Sequence, residues 1–111
     1  MITFQPKTVD IFLEIGSDFK QPFLVPQADA YDFYGIITKN YQGSVTLQFT
    51  CTPSLDNGSV VISLSSNQTL LLKPDQYEYE LRKKNKVTNE VSRVAIGNLI
   101  ATGNQYAWGS M

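Results

Sequence analysis

The 111-residue sequence predicts an all-β fold: an antiparallel β-sandwich of seven to eight strands with one short helical turn near residues 65–72. Three observations carry this. Apolar residues recur with a period of two through most of the chain. Gly, Pro, Asn and Asp clusters punctuate the alternating runs at the short intervals typical of stacked sheets rather than of βαβ units. One segment, "SSNQTLLLKPD" (65–75), breaks the period of two. The length fits one domain with a core of its own, divided into an N-terminal arm (1–7), the sandwich (8–103) and a C-terminal tail (104–111).

In "TVDIFLEI" (8–15), Val9, Ile11, Leu13 and Ile15 share one face, and Phe12 on the other suggests that this second face is partly covered. "FKQPFLVP" is a short strand held between Pro22 and Pro26, which favours a sheet edge because proline cannot donate to a ladder. "DFYGIITKN" is rich in aromatic and β-branched residues, and Gly35 within it suggests a bulge or a close approach. After the turn "NYQG", "SVTLQFTCT" is the clearest strand, with Val45, Leu47, Phe49 and Cys51 on one face and Thr46, Gln48, Thr50 and Thr52 on the other. Asn57-Gly58 then marks a tight turn into "VVISL", giving a hairpin over 44–64.

Ser65, followed three residues later by Gln68, has capping-box spacing. A helical turn begins there and ends at Pro74, with Leu70, Leu71 and Leu72 expected to plug the core. In "YEYELRKK", Tyr77, Tyr79 and Leu81 point inward and Glu78, Glu80 and Arg82 outward. "KNKVTNE" is a polar turn. "VSRVAIGNLIAT" is one long strand or two short ones interrupted near Gly97.

Composition removes several kinds of chemistry. There is no histidine, which takes away the commonest general base and metal ligand. The one cysteine, Cys51, can form neither an internal disulfide nor a zinc site, and is expected to be a buried small hydrophobe. There is no phosphate loop and no nucleophile elbow. A formal net charge of −1 gives no field that would gather nucleic acid or an anionic membrane. The start of the chain lacks the pattern of a signal peptide, no apolar run is long enough to span a bilayer, and folding in a cytoplasm is expected. The matches to the glycosylation pattern at Asn57 and Asn67 are then accidental.

The charged groups have structural readings. Glu78 and Glu80 are expected on a solvated strand face rather than as an acid–base pair. Asp29 and Asp32 offer too few oxygens for a calcium loop. Arg82, Lys83, Lys84 and Lys86 form a charged hairpin that keeps a sheet edge soluble. The sequence implies no catalytic residue, no metal and no cofactor. The expected partner-binding residues are Ile2 and Phe4, on an apolar arm able to add to a neighbour's sheet, with Tyr106 and Trp108 in the Gly-rich tail. Those two aromatics either dock on a neighbouring subunit or fold back over their own sandwich.

The segments "EIGSDF", "ISLSSNQTLLLKPDQYEYEL" and "VSRVAIGNLIAT" resemble the small immunoglobulin-like β-sandwich module of tailed-bacteriophage structural proteins, of the baseplate upper protein and tail-fibre head type. The matching positions are Ile15, Gly16, Asp18 and Phe19; the strand Ile62–Leu64; the short helix Ser65–Thr69; the turn Pro74–Gln76; the Tyr-x-Tyr strand Tyr77–Leu81; and Gly97 in the closing strand. The chain departs from the pattern at Asp75-Gln76, where the family has a Gly before the first Tyr, and at Glu80, where Asp is common. The resemblance implies a non-catalytic virion protein of the tail, baseplate or neck, free-standing, folded in the host cytoplasm, and partnered by other virion proteins and copies of itself. A capsid decoration (cement) protein on the head lattice and a carbohydrate- or receptor-binding module are the alternatives. The last would use an aromatic platform drawn from Tyr31, Tyr34, Tyr41 and Trp108.

Overall fold

The computed structural model describes residues 7–39, 45–54, 56 and 58–103. Among them are eight strands and one short α-helix: β1 (Lys7–Thr8), β2 (Ile11–Glu14), β3 (Phe19–Leu24), β4 (Tyr31–Thr38), β5 (Val45–Pro53), β6 (Ser59–Leu64), α1 (Ser66–Thr69), β7 (Asp75–Asn85) and β8 (Val91–Thr102). A 3-10 turn, Ala28–Ala30, leads into β4. The all-β prediction holds.

The strands follow the order β1-β8-β7-β4-β5-β6-β3, with β2 also on β8. The sheet curls at β5. Its first half pairs with β4 through Leu47 and Phe49, and its second half, Thr50 to Pro53, pairs with β6. One continuous sheet thus curls around the core. Phe49, at the bend, stands edge-on to Tyr79 of β7 (ring centroids 6.4 Å apart) and tilted against Phe19 of β3 (6.0 Å). The interior is filled from both halves of the curled sheet, by Ile37, Leu81 and Leu99 from one and Phe23, Val60 and Ile62 from the other. Alternation determines this sorting: β6 buries Val60, Ile62 and Leu64 in strict period two, and β7 buries Tyr77, Tyr79 and Leu81.

The expectation of a wholly antiparallel sandwich is corrected. β1 and β2 both run parallel to β8, with Lys7 opposite Ala95 and Ile11 opposite Leu99, so the sheet is mixed. Between them the chain steps past Gly97. A Cβ on Gly97 would lie 2.2 Å from the Val9 carbonyl oxygen. Tyr79 donates its hydroxyl proton to that same oxygen, and Val9 N–H donates to the Ile96 carbonyl at 3.0 Å. The glycine therefore does not interrupt β8, which is one strand of 12 residues.

Two other expectations change. Phe12 is 72% exposed, because β2 lies on the edge with its second face in solvent. Leu70 and Leu71 are 59% and 70% exposed, and of the three leucines only Leu72 enters the core. Of the two readings of Gly35 the close approach holds: a Cβ there would lie 3.0 Å from the Phe49 ring, and the bulge in β4 falls instead between Ile37 and Thr38. The prolines behave as predicted. Val25 N–H bonds to the Gly58 carbonyl, so residues of its parity in β3 turn their N–H toward β6. Pro22 has the opposite parity, and its missing N–H faces the open edge, where no ladder bond is lost. The tight turn at Asn57 and the "NYQG" turn fall on residues 57 and 40–43, outside the described residues.

Candidate assembly surfaces

β8 runs the length of the molecule and defines its two ends. At one end lie the β7–β8 turn and the start of β4. At the other lie α1, the loop before β3 and Gly103.

The α1 end is held by a network that links residues more than 50 positions apart in sequence. Gly16 turns the chain with φ of 91°, a conformation that suits glycine, and its N–H donates to Thr69 Oγ1 at 2.9 Å. Thr69 is fully buried, and its hydroxyl proton lies within reach of the Ser66 carbonyl (2.9 Å) and the Ser17 carbonyl (3.1 Å). Asp18 Oδ1 accepts from Ser66 N–H at 2.7 Å. Ser65 and Gln68 form both arms of the predicted capping box. Beyond the helix, Tyr77 donates its hydroxyl to the Lys73 carbonyl at 2.9 Å and accepts from Lys73 N–H at 3.1 Å. Leu70 and Leu71 sit between these two fixed points with their own N–H groups bonded to Ser66 and Gln68. Both side chains are exposed.

The opposite end carries a groove of about 490 Å³. Leu24, Val25, Pro26, Tyr31 and Val94 supply its apolar lining, and Lys7, Lys83, Arg93 and Glu90 its charged rim. The Lys83 ammonium stands 4.3 Å from the centroid of the Tyr31 ring, a cation–π contact. Tyr31 is half-buried here. Leu24, at the end of β3, is 83% exposed.

A second concavity, about 510 Å³, lies on the outer face of β4, β7 and β8. Glu80 occupies its middle, paired through Oε1 with Arg82 and through Oε2 with Arg93 at 2.8 Å. Its side chain is only 18% exposed. The expectation of a solvated Glu80 is thereby corrected: both carboxylate oxygens are engaged, which disfavours a role as general base. Sequence reading missed Arg93, since its meeting with Glu80 depends on the β7–β8 register, in which Arg82 lies opposite Arg93.

Among the described residues no three His, Cys, Asp or Glu side chains gather closely enough to share an ion. Asp29 lies in the 3-10 turn and Asp32 in β4. Cys51 is half-buried, and that burial pushes its thiol pKa up, away from nucleophilic character. Asp75 pairs with Lys39, and this contact holds its carboxyl below the usual range. No helix among the described residues is long and apolar enough to cross a membrane. The four predicted contact residues, Ile2, Phe4, Tyr106 and Trp108, fall outside the described residues, as does Tyr41, while Tyr34 is 45% exposed on the outer face. No protein-family model matches the chain, and no curated protein matches it.

Proposed function

We propose that the chain is a non-catalytic assembly module of a bacteriophage virion, an immunoglobulin-like sandwich in the tail, baseplate or neck region that works by packing against other virion proteins and copies of itself. The immunoglobulin-like reading rests on the strand order. Strands β1 and β2 lie parallel to the last strand, β7 sits between β8 and β4, and β3 and β6 form the opposing layer. Tyr77, at the start of β7, binds back to the backbone of Lys73, the arrangement of a tyrosine corner.

The virion reading is carried by one observation. The positions that resemble the phage module make contact with one another. Gly16 and Asp18 bond to Thr69 and Ser66 of the short helix, the tyrosine strand follows directly, and Gly97 admits the Val9 carbonyl. The resembling residues thus form a connected scaffold, and nothing in that scaffold gathers catalytic groups. Function then belongs to the ends and edges of the sandwich. Placement on the head lattice as a decoration protein would use the same scaffold.

The test is the composition of the particle. Gradient-purified virions should contain the chain at a fixed ratio to the major capsid protein, and image reconstruction should place it at the tail, baseplate or neck. Its absence from purified particles overturns the proposal, density on the capsid faces selects the decoration role, and specific binding on a glycan array without incorporation selects a receptor-binding module.

A further inference from the structure

We propose that β2 is an acceptor edge for a basic extended peptide. The partner is a segment of another protein in which an apolar residue stands between two Lys or Arg, each two positions away, and it pairs antiparallel with Ile11–Glu14. The inference stands apart from the virion reading, because it names the chemistry of a binding partner and no particle.

The sheet ends at β3 on one side and at β1 and β2 on the other. Pro22 protects the β3 edge, since it has no N–H to offer a partner. The β2 edge has no such block. Val9 and Ile15 donate their N–H groups to the Ile96 and Thr102 carbonyls of β8. Residues of odd number therefore turn their backbone groups toward β8, and those of even number turn theirs away. Phe12 presents both its N–H and its C=O to the open side, and Glu14 its N–H. The Glu14 carbonyl is taken by Ser17 N–H at 3.2 Å. Among the described residues no strand pairs with that side.

The side chains select the partner. Phe12 is exposed, and so are Asp10 and Glu14, two positions to either side of it. The Asp10 carboxylate accepts from Asn98 N–H at 3.2 Å. Among the described residues neither carboxylate has a cation of this chain within ion-pair distance, Lys20 included. These two acids exclude a second copy. Antiparallel pairing of two β2 strands about Phe12 would set Asp10 beside Glu14 twice, and parallel pairing would set each acid beside itself. Like charges directly opposite one another are destabilising. A strand with Lys or Arg at those two places instead brings opposite charges together and lays an apolar side chain against Phe12. Main-chain bonds then supply affinity, and the flanking charges supply specificity.

The test titrates the full chain, isotope-labelled for nuclear magnetic resonance, with three capped peptides. The first is Thr-Lys-Thr-Ile-Thr-Lys-Thr, the second has both Lys changed to Glu, and the third is the first with its Ile nitrogen methylated. The lysine peptide should shift the amide signals of residues 11–14 and slow hydrogen exchange at the Phe12 and Glu14 amides. The glutamate peptide should bind about tenfold more weakly or worse. Methylation removes the donor to the Phe12 carbonyl and should also weaken binding about tenfold. The exposed substitution Glu14→Lys, with circular dichroism identical to wild type as the check on folding, should weaken the lysine peptide about three- to thirtyfold. The proposal is overturned by unshifted signals at residues 11–14 up to about 1 mM peptide, by equal binding of the lysine and glutamate peptides, or by a methylated peptide that binds as well as its parent. Shifts confined to the groove at Leu24 and Tyr31 would likewise overturn it. These outcomes are independent of whether the chain is found in virions, so the failure of either proposal can be told from failure of the other.

Discussion

Replacing Gly97 with alanine tests the junction that sets the N-terminal strands on β8. The new methyl carbon would lie 2.2 Å from the Val9 carbonyl oxygen and 2.9 Å from its carbon, both backbone atoms. Carbon-to-oxygen contacts settle near ~3.3 Å or beyond, so the Val9 segment must withdraw by about 1 Å. That withdrawal breaks two hydrogen bonds, Tyr79 hydroxyl to Val9 carbonyl and Val9 N–H to Ile96 carbonyl. Each contributes about 1 kcal/mol net, and a buried phenol left without a partner adds about 1–3 kcal/mol. The reduced freedom of the unfolded chain with alanine returns about 0.4–1 kcal/mol. The net loss is about 2–4 kcal/mol, measured by urea denaturation followed by far-ultraviolet circular dichroism. In a chain lacking residues 1–9 the obstructing carbonyl is gone, and the same substitution should change stability by less than about 0.5 kcal/mol. A Gly97→Ala protein as stable as wild type, or equal costs in both backgrounds, would refute this account of the junction.

Thr69→Val keeps shape but removes the hydroxyl that joins Gly16, Ser17 and Ser66; it should cost about 2–3 kcal/mol and speed hydrogen exchange at the Gly16 amide, whereas Thr69→Ser should retain most of the stability. Leu72→Ala should cost about 2–5 kcal/mol on thermal or urea unfolding, while Leu71→Ala next to it should stay within about 0.5 kcal/mol. Burial, reinforced by the Asp10 carboxylate, pushes the Tyr79 phenol up to about 12 from the ordinary tyrosine value of about 10. The folded state therefore holds this proton more tightly than the unfolded one. The resulting stabilisation is complete below pH 10 and declines as pH rises toward 12. An ultraviolet titration should show a phenolate step near pH 12 that Tyr79→Phe abolishes.

Much of the fold was legible because its determinants are local. The alternation in β5 to β7 shows in neighbouring residues, and the Ser65–Gln68 cap spans only three positions. Pro22 announced an edge because its missing donor has few tolerable places. What escaped depends on distant partners. Nothing near Val9 reveals that its segment runs parallel to a strand almost 90 residues later, and so local pattern leaves open whether Gly97 divides its strand, whereas it is a seat for the Val9 carbonyl. The run Leu70–Leu72 fits any apolar environment. Only the four-residue length of α1 and the clasp of Tyr77 on Lys73 decide that two leucines face outward. Thr69 gave no local sign of its burial, and Arg93 none of its pairing with Glu80.

The central proposal is that the chain is a structural part of a phage particle, and quantitative mass spectrometry of gradient-purified virions tests it most directly. The chain should appear at one fixed ratio to the major capsid protein and stay with the particles through a further gradient. Its absence from particles assembled in cells that express it would contradict the proposal.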